Sequence, residues 1–287
     1  MRGDARTLLR RGFARIPATQ RLAVLHRLGR YAPWEDGFDF TPPAPGPGEE
    51  PGPPDFVGIG VQKGGTTWWY ESLAAHPGIA HRADLHKERH FFDRFGTLPF
   101  RRSDLADYHG WFPRPPGTQS GEWTPDYFTL PWVPPLLHAA APDARLLLLL
   151  RDPVERLLSG LAHQLRGGRK SDGATIADAV WRGGYDRALA AWLEHFERRQ
   201  ILVLQYERCV LDPGGQLAAT LRFLGLDPPP SRGNEPGAVA APAPRTATSG
   251  DLRHRLVELY RPGVIALASR CPEVDLALWP NFAALAG

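Results

Sequence analysis

The chain has 287 residues, room for one large domain or two small ones, and its 43% hydrophobic content supports a substantial core. The net charge of +3 is unevenly placed: residues 1–34 carry eight arginines and one aspartate, a local balance of +7, and the remainder holds 26 basic against 30 acidic residues, or −4. That balance excludes a general nucleic-acid-binding surface over the body of the protein. The two cysteines, Cys209 and Cys271, exclude a disulfide framework or a zinc site. No apolar run is long enough to span a bilayer, and the arginine-rich start lacks the apolar stretch of a secretory signal, so the expectation is a soluble, cytoplasmic protein.

Residues 1–40 read as an N-terminal helical extension, with Leu8, Leu9, Phe13, Leu22, Val24, Leu25 and Leu28 at helical spacing and Pro17 dividing two short helices. Its two readings are a helix pair packed on the body and a basic amphipathic element in which residues 1–34 make peripheral contact with an anionic membrane or a partner. Residues 41–54 are a Pro/Gly-rich, semi-rigid linker, and a domain of residues 55–287 follows.

Phe56 to Gly60 reads as a short buried strand, Gly64-Gly65 as a tight turn, and Thr66 as the start of a helix that Pro77-Gly78 stops near His76. A strand, a glycine turn and a helix N-terminus together make an anion site, because converging backbone N–H groups and the helix dipole supply positive potential. Lys63, Thr66 and Thr67 add an ammonium and two hydroxyls to the same loop. The standard nucleotide triphosphate loop places its lysine after the last glycine, whereas here the order is K-G-G-T-T; the dinucleotide fingerprint fails because Lys63 stands at its third glycine. Only Lys63, Lys87 and Lys170 are lysines among 34 basic residues. In a chain written in arginine, a retained lysine marks a position that needs a compact point charge rather than a planar fork.

Gly78 to Ala83 is a second strand candidate. In H-K-E-R-H-F-F-D, 86–93, an extended Glu88–Phe92 would place Glu88, His90 and Phe92 on one face, and a carboxylate beside an imidazole is an acid–base group. His81, His86 and His90 match no zinc spacing, so no metal is expected. Residues 94–121 read as an aromatic-rich, irregular flap, and G-E-W-T-P-D-Y-F, 121–128, as a shaped loop leading to a helix before Pro142. Ala144 to Leu150 is the clearest strand, apolar on both faces as a central parallel strand is. It runs into R-D-P-V-E-R-L-L-S, where Asp152 caps a helix, Pro153 takes its first position and Glu155 completes a capping box. Helical spacing puts Arg156 and Ser159 on one face, with Leu157, Leu158 and Leu161 more inward. Arg151 lies at the carboxyl end of its strand, where ligands bind in open α/β sheets, so Arg151 and Ser159 can grip a second phosphate. Residues 166–173 form a basic loop. Helices follow around 174–198, then a strand at Ile201–Gln205, a helix from Leu211 to Leu224 ending at Gly225, a proline-rich loop over 228–247, a helix from Asp251 to about Ser269, and Trp279 as the anchor of the tail. Alternating strands and helices define an α/β fold: a central parallel sheet flanked by helices.

Q-K-G-G-T-T-W at 62–68, K-E-R-H-F-F-D at 87–93, T-P-D-Y-F at 124–128 and R-D-P-V-E-R-x-x-S at 151–159 resemble the sulfotransferases that use 3′-phosphoadenylyl sulfate (PAPS). Y-E at 206–207, F-L-G-L at 223–226 and Trp279 extend the resemblance, which covers roughly residues 55–282 and is closest to the carbohydrate, heparan-sulfate-type members and their bacterial relatives. It implies a three-layer, P-loop-type fold and transfer of a sulfuryl group from PAPS to a hydroxyl, with 3′,5′-adenosine bisphosphate (PAP) as product and no metal. By the same resemblance Lys63, Gly64, Gly65, Thr66 and Thr67 hold the 5′-phosphosulfate, Lys63 neutralises the bridging oxygen, and Arg151 and Ser159 hold the 3′-phosphate. Glu88 is then the general base supported by His90 and Asp93, and Arg245 closes over the nucleotide. This chain departs from the animal carbohydrate members in carrying Trp123 where they often have lysine, Gly160-Leu161 after Ser159, and no evident lysine-glycine element in 228–250. Trp68 resembles the cytosolic small-molecule branch. The implied acceptor is therefore a sugar, a glycolipid or a hydroxylated small molecule. The rival readings are a P-loop-like small-molecule kinase, against which the lysine position argues, and a non-catalytic membrane-binding module.

Overall fold

A four-stranded parallel sheet forms the centre of the protein in a computed structural model that describes residues 41–82, 85–96, 98–166, 173–228 and 250–286. The strands are β1 (Phe56–Gly60), β2 (Gly121–Trp123), β3 (Arg145–Leu150) and β4 (Ile201–Gln205), in the order β2-β1-β3-β4. Phe56 faces Gly121 on one side and Arg145 on the other, and Leu146 to Leu150 run in register with Ile201 to Gln205. The chain crosses from one side of β1 to the other, which opens a ligand crevice at the carboxyl ends of β1 and β3.

Leu146 to Leu150 are all fully buried. Alternation along a strand sends them to opposite faces. Leu147 and Leu149 join Trp68, Trp69 and Leu73 of α1 (Thr66–Ala74) and Leu217 and Leu221 of α8 (Pro213–Phe223) in one cluster. Leu146, Leu148 and Leu150 point the other way and are no more exposed, so both faces of the sheet are covered. The remaining helices among the described residues are α2 (Arg102–His109), α3 (Val133–Ala140), α4 (Pro153–Arg166), α5 (Gly173–Trp181), α6 (Tyr185–Leu193), α7 (Tyr206–Leu211) and α9 (Gly250–Arg270). The three-layer α/β architecture expected from the sequence is the one observed. After α8, Gly225 adopts φ 74° and the Leu226 N–H returns to the Leu221 carbonyl at 2.9 Å, a glycine-terminated helix end.

Several local expectations are corrected. Residues 78–82 form no strand: Ile79 alone bridges Gln119, because only Ile79 of the segment has a buried apolar side chain to hold it down. The second edge strand is instead Gly121–Trp123, inside the stretch read as a loop, and Pro125–Thr129 is a 3-10 turn. Residues 94–121 are not a flap. They contain α2, and Phe91, Phe92, Phe95, Phe100 and Tyr108 stack into an aromatic cluster with ring centroids 4.6–6.5 Å apart. Arg156 faces inward, 1% exposed, with its guanidinium on the Ala179 carbonyl, while Leu158 and Leu161 are only half-buried. Glu155 completes no capping box. Its carboxylate accepts from Arg253 (2.5 Å) and Asn281 (3.2 Å), and the backbone N–H of Asp152 is satisfied by Glu207 at 3.0 Å. The proline-rich stretch from Thr41 is extended and docked: Glu50 and Arg114 exchange two backbone hydrogen bonds of 3.0 and 3.1 Å, and Arg82 donates to the Ala44 carbonyl at 3.0 Å. The N-terminal helices, most of the basic loop at 166–173, and the 228–247 loop with Arg245 lie outside the described residues.

Candidate active site

All four strands deliver functional groups at their carboxyl ends. After β1, Val61 is held by its N–H on the Leu149 carbonyl (3.0 Å), and Gly64 N–H returns to the Val61 carbonyl (2.9 Å) to close the turn. Lys63 and Gly65 both have left-handed backbones, φ 64° and 91°. A Cβ at Gly64 would meet the Leu149 carbonyl oxygen at 2.7 Å, and one at Gly65 would meet the Tyr206 ring at 2.7 Å, so both positions need glycine for space and Gly65 for conformation as well. Gly65 is the N-cap of α1, and no side chain caps that helix. Its first-turn amides are therefore open to an anion, with Thr66 buried and Thr67 exposed beside them. The donor set suits a phosphosulfate: backbone amides, two hydroxyls and the Lys63 ammonium.

β3 ends in Arg151, whose guanidinium donates to the Lys63 carbonyl (3.1 Å) and lies over the Tyr206 ring at 4.8 Å. The Asp152 side chain caps α4 through the N–H groups of Val154 (2.9 Å) and Glu155 (3.2 Å). A Cβ on Gly160 would lie 4.0 Å from Lys63 Cγ, so the turn of α4 bearing Ser159 stands against the loop. The structure thus brings Lys63, Gly64, Gly65, Thr66, Thr67, Arg151 and Ser159 to one corner.

Glu88 and His90 meet, but not through an extended strand. His90 has φ 51°, a left-handed turn. This turn lets its Nε2 reach Glu88 Oε2 at 3.2 Å while its Nδ1 holds Asp93 Oδ2 at 2.8 Å. Lys87 Nζ donates to Glu88 Oε1 at 2.5 Å. Burial pushes the Glu88 carboxyl up, but the bonds and charges of His90 and Lys87 outweigh it and hold the pKa down at about 2. Burial pulls His90 down, and the bonds to Asp93 and Glu88 outweigh that and raise it to about 10. His90 is therefore an imidazolium clamped between two carboxylates, and Glu88 is ionised. Phe92 belongs to the aromatic cluster and takes no part.

What holds the strained turn is a buried carboxylate the sequence reading passed over. Glu122 of β2 is fully buried and accepts from Thr124 Oγ1 (2.6 Å), Tyr108 OH (2.8 Å), Tyr127 OH (3.4 Å) and the Arg89 N–H (3.2 Å). Thr124 Oγ1 in turn accepts the N–H groups of Arg89 (2.9 Å) and His90 (3.3 Å), and the Tyr127 hydroxyl accepts that of Phe91 (2.8 Å). The sequence carries little sign of it: Glu122 stands beside Trp123 in a stretch, 117–124, that is otherwise glycine, serine, threonine and glutamine.

Trp123 joins the two halves. Its backbone N–H bonds the Lys87 carbonyl (2.9 Å) and its indole N–H bonds the Gly60 carbonyl (3.1 Å) at the base of the glycine loop. It is fully buried against Gly58, where a Cβ would run into its ring. Trp123 is thus a structural link between the glycine loop and the Lys87–His90 segment.

His81, His86 and His90, close in the sequence, go to separate partners. His81 stacks on Tyr70, and His86 Nδ1 accepts the Glu88 N–H. His90 groups instead with Asp93 and Asp126, ligand atoms within 4.8 Å of one another, and Arg182 pairs with Asp126 to supply the positive charge there.

The fold and the site together define a P-loop-like α/β protein with an uncapped, lysine-bearing anion loop at the carboxyl end of its sheet. Residues 124–230 match the model of the sulfotransferase family. The chain is 36% identical over 199 residues to mouse heparan sulfate glucosamine 3-O-sulfotransferase 6, covering 64% of this chain and 56% of the relative. It is 35% identical over 188 residues to human heparan sulfate glucosamine 3-O-sulfotransferase 3B1, covering 60% and 46%. This chain thus spans about half the length of the curated relatives it matches. The crystal structure of a sulfotransferase from Alicyclobacillus acidocaldarius superposes with TM-score 0.61 at 23% identity, covering 79% of this chain and 98% of that one, and so shares the fold. The resemblance read from the motifs stands: the chain is homologous to sulfotransferases.

Proposed function

We propose that this protein is a PAPS-dependent sulfotransferase that moves a sulfuryl group to a hydroxyl of a carbohydrate, glycolipid or hydroxylated small molecule. The observation that carries the reading is the pair of hydrogen bonds donated by Trp123, which fixes an uncapped, lysine-bearing glycine loop against an ionised glutamate clamped by Lys87 and His90. Anion cradle and proton acceptor are tied at one sheet end.

The donor supplies an activated sulfuryl group on a phosphate leaving group. Around it, this chain's residues have separable tasks. The amides and hydroxyls of Thr66 and Thr67 bind the anionic end, and Lys63 neutralises charge as it collects on the bridging oxygen. Arg151 and Ser159 hold the second phosphate. Glu88 accepts the proton of the attacking hydroxyl at its carboxylate. A pKa of about 2 suits that task, because the hydroxyl becomes strongly acidic as its oxygen bonds to sulfur, so a weak base placed correctly suffices. His90 cannot take that proton while it is an imidazolium; it orients the Glu88 carboxylate, with Asp93 behind it. Among acceptors, the heparan sulfate named in the relatives favours a sugar, and the buried Trp123 removes one cation a polyanionic chain would use.

The test is transfer of radiolabelled sulfur from PAPS to heparan sulfate, an alkyl glucoside and a phenol, with Glu88→Gln beside the wild type. Transfer to at least one hydroxyl class, reduced about 10²-fold or more in the variant, is expected. Absence of transfer together with ATP–Mg²⁺ turnover would replace the proposal with a kinase.

A further inference from the structure

The corner that presents Arg151 is built by a buried carboxylate, Asp152, a half-buried one, Glu207, and the C-terminal tail. Asp152 is fully buried, and its Oδ2 accepts from the backbone and side-chain N–H groups of Asn281 at 3.0 and 2.9 Å. Glu207, the second residue of α7, accepts the Asp152 N–H at 3.0 Å through Oε1 and the Trp279 indole N–H at 3.0 Å through Oε2. Beside it, Tyr206 packs against both Gly65 and the Arg151 guanidinium. The Tyr185 hydroxyl donates to the Arg151 carbonyl at 2.9 Å. The peptide between Arg151 and Asp152 is therefore pinned at its carbonyl by Tyr185 and at its N–H by Glu207.

We propose that Glu207 is the positioning residue of the donor's second phosphate site, and that it holds Arg151 in place only while both of its carboxylate oxygens accept. The inference rests on the reading that Arg151 holds the 3′-phosphate. Both Glu207 oxygens face N–H hydrogens that are fixed in direction. A protonated carboxyl would oppose one of them with its own O–H and lose that bond. The group is poised for this: burial, helped by the charge of Asp152, outweighs its hydrogen bonds and raises it to about 7. Among the described residues it forms no ion pair. From the β3–α4 corner it faces Asp152, whose acceptors are already filled, and Arg151, which is turned to Lys63 and Tyr206. From the tail it faces Trp279, and from α6 the Tyr185 hydroxyl, which is committed to the Arg151 carbonyl. On its own helix Cys209 is buried and Arg208 pairs with Asp275 at 2.8 Å. Ionised Glu207 keeps Arg151 in place, and its protonation frees the corner.

Calorimetric titration of the full chain with PAP from pH 6 to 8.5 tests this. Glu207→Gln is expected to weaken PAP binding about tenfold at pH 8, the scale of one bond to a charged acceptor. The gap should close towards pH 6, where the wild-type carboxyl is itself protonated. Trp279→Phe, which lets Oε2 carry the proton without opposing an N–H, should bind PAP with a weaker pH dependence than wild type. Equal affinity of Glu207→Gln and wild type at pH 8, or a ratio that stays constant from pH 6 to 8, overturns the proposal. If Glu207→Gln does not fold by circular dichroism, titrations of the wild type in buffers of different ionisation enthalpy decide. Proton release on binding at pH 7, beyond that of the phosphomonoester, is expected, and none overturns it. A wild type that binds no PAP at all removes the donor reading itself, a result distinct from a wild type that binds and a variant that binds equally.

Discussion

Glu122 gives the sharpest stability prediction, because the acid–base pair depends on it without touching it. Glu122→Gln keeps an oxygen for Tyr108 but turns an NH₂ towards the Arg89 N–H and Thr124 Oγ1. The threonine hydroxyl can rotate to accept; the Arg89 N–H keeps its 2.9 Å bond to Thr124 Oγ1 but loses its second, charged acceptor to a donor. A hydrogen bond to a charged acceptor contributes about 1.5–3 kcal/mol. Burial already pushes the Glu122 carboxyl up, so removing its charge returns part of the loss. The net cost of Glu122→Gln should be about 2 kcal/mol, and of Glu122→Ala, which strands the Tyr108 and Thr124 hydroxyls, about 3–5 kcal/mol. Urea unfolding followed by far-UV circular dichroism reads both. The same Thr124 hydroxyl holds the Arg89 and His90 amides, so the left-handed turn at His90 relaxes and transfer activity falls in a variant that still binds PAP. A Glu122→Gln protein as stable and as active as wild type would refute the claim that this network holds the turn.

Other predictions follow from the same geometry. Gly65→Ala places a Cβ 2.7 Å from the Tyr206 ring at φ 91°, so it should cost about 1–3 kcal/mol in unfolding free energy and abolish PAP binding. Activity requires ionised Glu88 and protonated His90, which sets a pH window between about 2 and about 10; Glu88→Gln removes one of the carboxylates holding the imidazolium, so the alkaline limb of residual activity should move to lower pH. In stability, the Glu88 contribution is present above its ordinary value of 4.5 and is lost as pH falls towards 2, while that of His90 is present below 6.5 and is lost as pH rises through about 10. His90→Asn should flatten both limbs in unfolding measured across pH.

The donor corner was legible in the sequence because each part is local. K-G-G-T-T and R-D-P-V-E-R-x-x-S are short runs whose turn and cap chemistry fixes the backbone that carries them, and β3 and β4 are apolar runs that only a central strand explains. The acceptor side was less legible because it is built from contacts distant in sequence. Glu88 and His90 were identified as a pair, but their meeting depends on a left-handed turn imposed by Glu122, Thr124 and Tyr127, which lie more than thirty residues on. Gly121–Trp123 is too short for alternation to register, and Pro125 just after it reads as loop. Arg156 defeated the helical wheel because a buried carbonyl, Ala179, draws its guanidinium inward. The tail's role was half visible: Trp279 was read as an anchor, whereas its partner Glu207 and the Asn281 bonds to Asp152 appear only in the fold.

The measurement that tests the central claim most directly is thermal unfolding with and without PAP, for wild type and Arg151→Ala. At about 100 times its dissociation constant the nucleotide should stabilise wild type by roughly 2.7 kcal/mol, an easily resolved upward shift in Tm. The account predicts that shift in wild type and its loss in Arg151→Ala. No shift in wild type, or an equal shift in the variant, would contradict it.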